Sequence, residues 1–210
     1  MMYFIVRNSI KLFLKIYMGF RVYGADKVPK KGAFILAGNH VSHIDPPAFA
    51  SASPRPLHFM ARHTLFENRA LGWLIGSCNS FPVKRDEGDV GALKEAIRRL
   101  KRGSALLIFP EGTRSVTGEI QKAEPGVGYL SLMTGVPILP AYVKGTNEAL
   151  PKGAKRIIRM PISVYFGGLV VPQKLDLSND RRQAAQEVAD RVVEEIRKLE
   201  KEAKNPKKGR

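Results

Sequence analysis

From residue 20 onward, short apolar runs alternate along the chain with stretches of helical period. "AFILAG" (Ala33–Gly38) and "LHFMAR" (Leu57–Arg62) predict buried strands, and so do "ALLIF" (Ala105–Phe109) and "PILPAYV" (Pro137–Val143). "FPV" (Phe81–Val83) is a shorter candidate, and "ISVYFGG" (Ile162–Gly168) adds a further strand. Between them, Val90, Leu93, Ile97 and Leu100 keep helical spacing in "GDVGALKEAIRRLKRG", which Gly103 closes. "GVGYLSLMTG" predicts a crossover helix apolar enough to be buried, and another helix is expected from Arg181 to Lys204. Strands alternating with helices predict a single α/β domain whose mostly parallel central sheet is flanked by helices. The expected division is a helix over 1–20, the domain over 21–204 and a disordered basic tail over 205–210.

The amino-terminal stretch "MMYFIVRNSIKLFLKIYMGF" has a different pattern. Arg7, Lys11 and Lys15 advance by about 400° per step and so form one stripe on a helix. Phe4, Ile5, Leu12, Phe13, Ile16, Tyr17 and Phe20 cover much of the remaining surface. The uninterrupted apolar core and small-residue cleavage site of a signal peptide are absent. Spanning a bilayer would place three cations near its middle, at a cost of roughly 2.5–3.5 kcal/mol each. A helix lying in the interface, with its stripe among lipid phosphates, meets no such cost. The apolar arc is wider than one packing face requires, which favours an amphipathic membrane-surface helix over one packed only on the protein's own core. Removing residues 1–20 is expected to leave the folded core intact.

Composition narrows the class. The 210 residues include one cysteine, Cys78, so an intrachain disulfide and a thiolate-rich zinc site are excluded. Thirty-five Lys and Arg against nineteen Asp and Glu give a net charge of +16. Such an excess implies an anionic partner: a membrane, phosphorylated substrates or nucleic acid. No RRM or KH signature accompanies the charge, so a nucleic-acid-binding module is the weaker alternative and no nucleic-acid partner is expected.

In parallel sheets, ligands bind beyond the carboxyl ends of the strands. Four predicted strands run there into polar sequence: Asn39-His40, Lys84-Arg85, Pro110-Glu111-Gly112-Thr113-Arg114 and Lys144-Gly145-Thr146. The first of these belongs to "GNHVSHIDPP" (Gly38–Pro47), which allows three readings. His40, His43 and Asp45, with His58 or His63, supply metal-ligand types, but no H-E-x-x-H motif or thiolate cluster accompanies them, and no metal is expected. Asp-Pro-Pro is also a strong helix start, with Asp45 as cap and Pro46 at the first helical position. The third reading is a catalytic pair. His40 and Asp45 would lie about 140° apart on a regular helix, so they pair only if His40 is on a loop and the chain turns back. One carboxylate oxygen would then take a backbone N–H and the other would orient the imidazole, as in the histidine–aspartate half of a hydrolase triad. No G-x-S-x-G nucleophile is present. Cys78 lies in an apolar helical pattern where it reads as core filling, and Ser42 is placed for a local backbone hydrogen bond, though a hydrolase using Ser42 stays open. In "FPEGTRS" (Phe109–Ser115), Arg114 offers a planar fork for phosphate and Gly112 permits close backbone approach; the plain alternative is a surface turn with a Glu111–Arg114 ion pair.

Taken together, "NHVSHID" (Asn39–Asp45), "FPVKR" (Phe81–Arg85), "FPEGTRS" and "VPILPAYVKGT" (Val136–Thr146) resemble the glycerolipid acyltransferases, in particular the bacterial 1-acyl-sn-glycerol-3-phosphate acyltransferases. The resemblance spans about Val22 to Thr146 and keeps the family's block order, with a "LGW" helix (Leu71–Trp73) between the first two blocks. It implies a glycerol-3-phosphate acyltransferase-like fold, His40 as general base and Asp45 as its orienting partner. Arg85, Glu111, Gly112, Thr113 and Arg114 would bind the acceptor's glycerol phosphate. The implied reaction moves a fatty acyl group from acyl-CoA or acyl-carrier protein to lysophosphatidic acid, with no cofactor and no covalent enzyme intermediate, at the cytoplasmic face of the cell membrane. Another lysolipid acceptor, such as a lyso-ornithine lipid, or a transacylase reaction is the alternative within the family. One departure is visible: many members carry a lysine two positions before the glycine matching Gly126, and here that residue is Glu124, with Lys122 the candidate replacement.

Overall fold

A computed structural model describes residues 1–84, 89–172 and 180–205. In chain order the elements are α1 (Met2–Met18), β1 (Arg21–Tyr23), β2 (Phe34–Gly38), α2 (Asp45–Ala52), β3 (Leu57–Arg62), α3 (Arg69–Ser77) and β4 (Ser80–Val83). They continue with α4 (Val90–Lys101), β5 (Ala105–Ile108), α5 (Gly126–Thr134), β6 (Ile138–Lys144), α6 (Thr146–Ala149), β7 (Ser163–Phe166) and α7 (Arg181–Lys204). Arg85 and the tail beyond Asn205 lie outside the described residues.

The strands form one seven-stranded sheet in the order β1-β7-β6-β2-β5-β3-β4. All neighbours are parallel except β6 and β7. β2, β4, β5 and β6 therefore run in one direction, and the four loops read from the sequence do share one rim. β2 is central, with Leu36 registered between Leu107 of β5 and Leu139 of β6. Its alternating residues face opposite ways, and both faces are covered, which is why all five are buried and the segment reads as a continuous apolar run. Phe34 and Leu36 pack with α1 and α2, while Ile35 and Ala37 pack with α4, α5 and α7.

α7 shows how local sequence sets an element. Asp180 accepts from the N–H groups of Arg182 and Gln183 at its start, and Ala185, Val188, Val192, Ile196 and Leu199 recur at helical spacing on the buried face. β1 was not anticipated. At three residues it is too short to carry a pattern, and it exists because β7 offers an edge. Cys78 is not core filling: it closes α3 as a half-buried C-cap, at the sheet edge opposite the rim.

α1 is not a separable appendage. Tyr3, Leu14 and Met18 are buried, the Tyr3 hydroxyl accepts from the Leu57 N–H (2.9 Å), and the Met18 carbonyl accepts from the Ile162 N–H (3.1 Å). Removing residues 1–20 would open the core, contrary to the expectation from sequence, because the helix buries one narrow line as well as exposing a wide arc. Among the described residues no helix is long and apolar enough to cross a membrane.

α5 and α7 approach closely at Gly128, where an added Cβ would fall onto the Ala185 carbonyl. Gly128→Ala is expected to lose about 1–3 kcal/mol, as overpacked sites do, measured as a lower urea midpoint with unchanged slope. An unchanged midpoint would mean the helices shift apart freely.

Candidate active site

His40 lies two residues past the end of β2. Asn39 before it extends the sheet pairing, accepting from Val143 N–H (2.7 Å) and donating to Val143 O (3.1 Å). The chain then turns back at once into α2. Oδ2 of Asp45 accepts from the N–H groups of Val41 and Ser42, each at 2.7 Å, and lies 2.8 Å from Nδ1 of His40. The five-residue separation is thus bridged in the way the loop reading required.

Two details differ from expectation. Asp45 does not cap α2, where Ile44 holds the cap position. Nor do its oxygens divide the work: all three donors share Oδ2, and Oδ1 is buried with no partner among the described residues. Pro46 and Pro47 explain the first point. They have no N–H to be capped, so the donors that need an acceptor are those of the loop behind the helix. With Oδ2 already accepting two backbone N–H groups, Nδ1 carries the ring hydrogen, and the lone pair on Nε2 is left to take a proton.

The main chain of His40 is held as firmly as its ring. Its N–H donates to Oε1 of Glu111 (2.8 Å) and its carbonyl accepts from Ser115 N–H (2.8 Å). The imidazole stacks on Phe109 with centroids 3.8 Å apart and planes 12° from parallel. Oε2 of Glu111 accepts from Gln121 N–H (3.0 Å). Both oxygens of this buried glutamate are therefore committed to backbone, which leaves it little to offer a phosphate. Burial pushes its carboxyl above the ordinary range, partly offset by the N–H groups of Gln121 and His40.

Arg114 is half-buried next to His43, whose imidazole is held below its usual range first by burial and then by the Arg114 charge. Among the described residues, no ion pair or hydrogen bond takes the Arg114 guanidinium, so the Glu111–Arg114 pair of the plain alternative is not formed. Gly112 adopts φ +69°, and its N–H closes a turn onto the Phe109 carbonyl (3.0 Å); Thr113 is exposed, its N–H on the Glu111 carbonyl (2.8 Å). A cavity of about 700 Å³ opens beside this loop. Arg62, Lys84, Thr113 and Glu124 stand at its exposed mouth, and Ile108, Val127 and Leu130 line its depth. Lys122 is exposed and outside the lining.

The other candidates have structural occupations. Ser42 is fully buried, donating to the Leu150 carbonyl (2.8 Å) and accepting from Ile44 N–H (3.2 Å). His58 is bonded to Arg99 (2.6 Å). Among the described residues, no three His, Cys, Asp or Glu side chains gather as a metal site. Reading the sequence missed Phe109, Ser115 and Gln121 as clamps on His40, and Arg62 at the cavity. The signal for Arg62 was present, since it ends a predicted strand on the same rim.

An imidazole fixed at both ring and backbone thus stands near a guanidinium without a partner among the described residues and a part-apolar cavity, an arrangement that can serve acid–base chemistry. The acyltransferase family model matches residues 19–144, and the chain belongs to that family. A 1-acyl-sn-glycerol-3-phosphate acyltransferase of Bacillus subtilis is 30% identical over 161 residues, covering 75% of this chain and 80% of the relative. One of Streptococcus pneumoniae is 31% identical over 209 residues, covering 97% and 75%. The crystal structure of the 1-acyl-sn-glycerophosphate acyltransferase PlsC of Thermotoga maritima superposes with a TM-score of 0.73 at 29% identity, covering 93% of this chain and 81% of that one.

Because Glu111 holds its proton more tightly in the fold than in the unfolded chain, ionising it costs stability. The wild-type advantage over Glu111→Gln should shrink as pH rises from about 4.5, the ordinary glutamate value, through the raised folded value. Urea unfolding of both proteins across that range checks it, and a flat difference would show that the carboxyl is well solvated.

Proposed function

We propose that this acyltransferase moves a fatty acyl group from a thioester, acyl-CoA or acyl-carrier protein, to the sn-2 hydroxyl of 1-acyl-sn-glycerol-3-phosphate, giving phosphatidic acid. The observation that carries the reading is the His40–Asp45 pair with Nε2 free and no protein nucleophile among the side chains that clamp it. An alcohol is a poor nucleophile until its proton leaves, and Nε2 takes that proton as the hydroxyl oxygen attacks the thioester carbonyl. The tetrahedral intermediate collapses with loss of the thiolate, which recovers the proton from His40. No metal and no acyl-enzyme is required.

The donors to the intermediate's oxyanion are narrowed by the hydrogen bonds. The N–H groups of Val41, Ser42, Ile44 and Gly112 are all taken within the protein. Those of His43 and Arg114 have no partner among the described residues, and they are the donors we assign. The Arg114 guanidinium would hold the acceptor phosphate, with Arg62 and Lys84 at the cavity mouth offsetting the negative charge of Glu124. Glu111 then acts by positioning the His40 backbone. The apolar depth of the cavity suits an alkyl chain.

α1 supports a reading in which the enzyme works at an anionic bilayer, at the cytoplasmic face of the cell membrane where thioester donors are found. Counting about 100° per residue from Tyr3, the exposed Ile5, Leu12 and Ile16 lie roughly opposite the buried line, with Lys11 and Lys15 between them on one side and Phe13 and Tyr17 on the other. Leu12 is 59% and Ile16 71% exposed.

With lysophosphatidic acid and either donor, His40→Ala is expected to lower kcat by about 10²–10⁴-fold with little change in KM. Arg114→Ala should instead act mainly on the acceptor's KM. Full activity in His40→Ala, or an acyl group trapped on denatured protein, would overturn the mechanism. The bilayer reading is checked by vesicle co-sedimentation of Leu12→Ser/Ile16→Ser. We expect reduced binding to phosphatidylglycerol-containing vesicles and unchanged thermal unfolding; undiminished binding would dismiss the helix as an anchor.

A further inference from the structure

The segment between α6 and β7 joins the catalytic rim to α1. Its sequence from Pro151 to Pro161, "PKGAKRIIRMP", carries Lys152, Lys155, Arg156 and Arg159 and no acid. Every residue from Pro151 to Arg159 is exposed, including the adjacent Ile157 (45%) and Ile158 (59%). A lone exposed isoleucine needs no explanation. Two in succession, flanked by arginines on an ordered loop, call for one.

The loop is tied at both ends. At the rim, Ser42 Oγ donates to the Leu150 carbonyl (2.8 Å) and Lys152 Nζ to the Arg114 carbonyl (3.3 Å). The loop folds back on itself through Ala154 N–H to the Pro151 carbonyl (3.0 Å) and Ile158 N–H to the Ala149 carbonyl (2.8 Å). At the far end, the Arg159 guanidinium lies 5.9 Å from the ring centroid of Tyr17, and Ile162 N–H reaches the Met18 carbonyl (3.1 Å). Tyr17 belongs to the exposed apolar arc of α1 with Leu12, Phe13 and Ile16. The loop surface is therefore continuous with that arc on one side and with the Arg114 loop on the other.

We propose that the Lys152–Arg159 loop is a second membrane contact, which together with the outer arc of α1 sets the catalytic rim against an anionic lipid surface. Cations beside exposed aliphatic side chains suit an interface where the charges reach lipid phosphates and the aliphatic groups enter the boundary between headgroups and acyl chains. An acidic protein would meet the same cations but would gain nothing from continuity with the α1 arc. The inference deepens the bilayer reading given above; the binding it describes does not depend on which lysolipid is acylated.

The test uses the full chain and exploits Trp73, the only tryptophan. Ile158→Trp in a Trp73→Phe background places the sole indole on the loop. On vesicles of phosphatidylcholine mixed with phosphatidylglycerol, its emission should shift to the blue and be quenched by brominated acyl chains. In the otherwise wild-type protein, Lys155→Gln/Arg156→Gln should lower partitioning onto these vesicles by about tenfold or more, at about fivefold per cation removed, with unfolding temperature unchanged. Turnover of vesicle-borne lysophosphatidic acid should fall in parallel, while turnover of a short-chain, monomeric acceptor is kept. An indole that stays in water while the protein still sediments with vesicles overturns the proposal. So does a double variant that binds vesicles normally and loses activity only with the carrier-protein donor, which would assign the loop to an acidic protein. A protein that meets the vesicle expectations yet acylates no lysophosphatidic acid would leave this inference standing and sink the acceptor assignment instead.

Discussion

One carboxylate oxygen, Oδ2 of Asp45, gathers three donors within 2.8 Å, and the geometry of the site follows from it. A fully buried carboxylate is tolerated only where hydrogen bonds replace its water. Here the donors come from three nearly adjacent positions, His40, Val41 and Ser42, so satisfying the charge folds the chain into a tight turn between β2 and α2. The orientation of the imidazole is a consequence of that turn. Oδ1 is buried with no partner among the described residues, so Oδ2 alone organises the turn.

A second buried carboxylate completes the arrangement from the other side of the chain. Glu111 takes the His40 N–H while Ser115 supplies a donor to the His40 carbonyl, so the loop after β5 grips the residue that the loop after β2 presents. The Asp45 charge raises the Glu111 carboxyl further, so the two carboxylates oppose one another. Stability is lower for it, and position is gained: ring, backbone and stacked face of one histidine are all fixed before any substrate arrives.

The strands and long helices were legible because their signal is local. β3 and α7 fall on the residues that periodicity marks, and the shared rim follows from alternation of strand and helix alone. What was not legible depends on distant partners. Glu111 and His40 are 71 residues apart, and nothing in "FPEGTRS" says that its glutamate faces a backbone N–H. The antiparallel setting of β7 and the existence of β1 are likewise products of the sheet edge. The histidine–aspartate pairing lay between these cases. Spacing excluded a helix and allowed a loop, and two prolines that leave α2 without N–H groups to cap decided which backbone donors the aspartate would serve.

α1 is the place where pattern and burial part company. An amphipathic helix on a domain surface normally buries its apolar face and shows water a polar one. This helix is apolar round most of its circumference, from Leu12 through Ile16, Phe13, Tyr17 and Ile10 to Tyr3, with Arg7, Lys11 and Lys15 on one side, and the domain covers only the narrow line at Tyr3, Leu14 and Met18. The rest of the arc, with Leu12, Phe13 and Ile16, is left exposed. In a bilayer-spanning orientation the same helix would draw three cations into hydrocarbon, whereas an in-plane orientation would leave them among phosphates. The tie from Ile162 to Met18 makes the helix rigid with β7 and with the rim above it. Under the proposed function, a surface that α1 lay on would set the angle at which His40 is presented to a lipid acceptor.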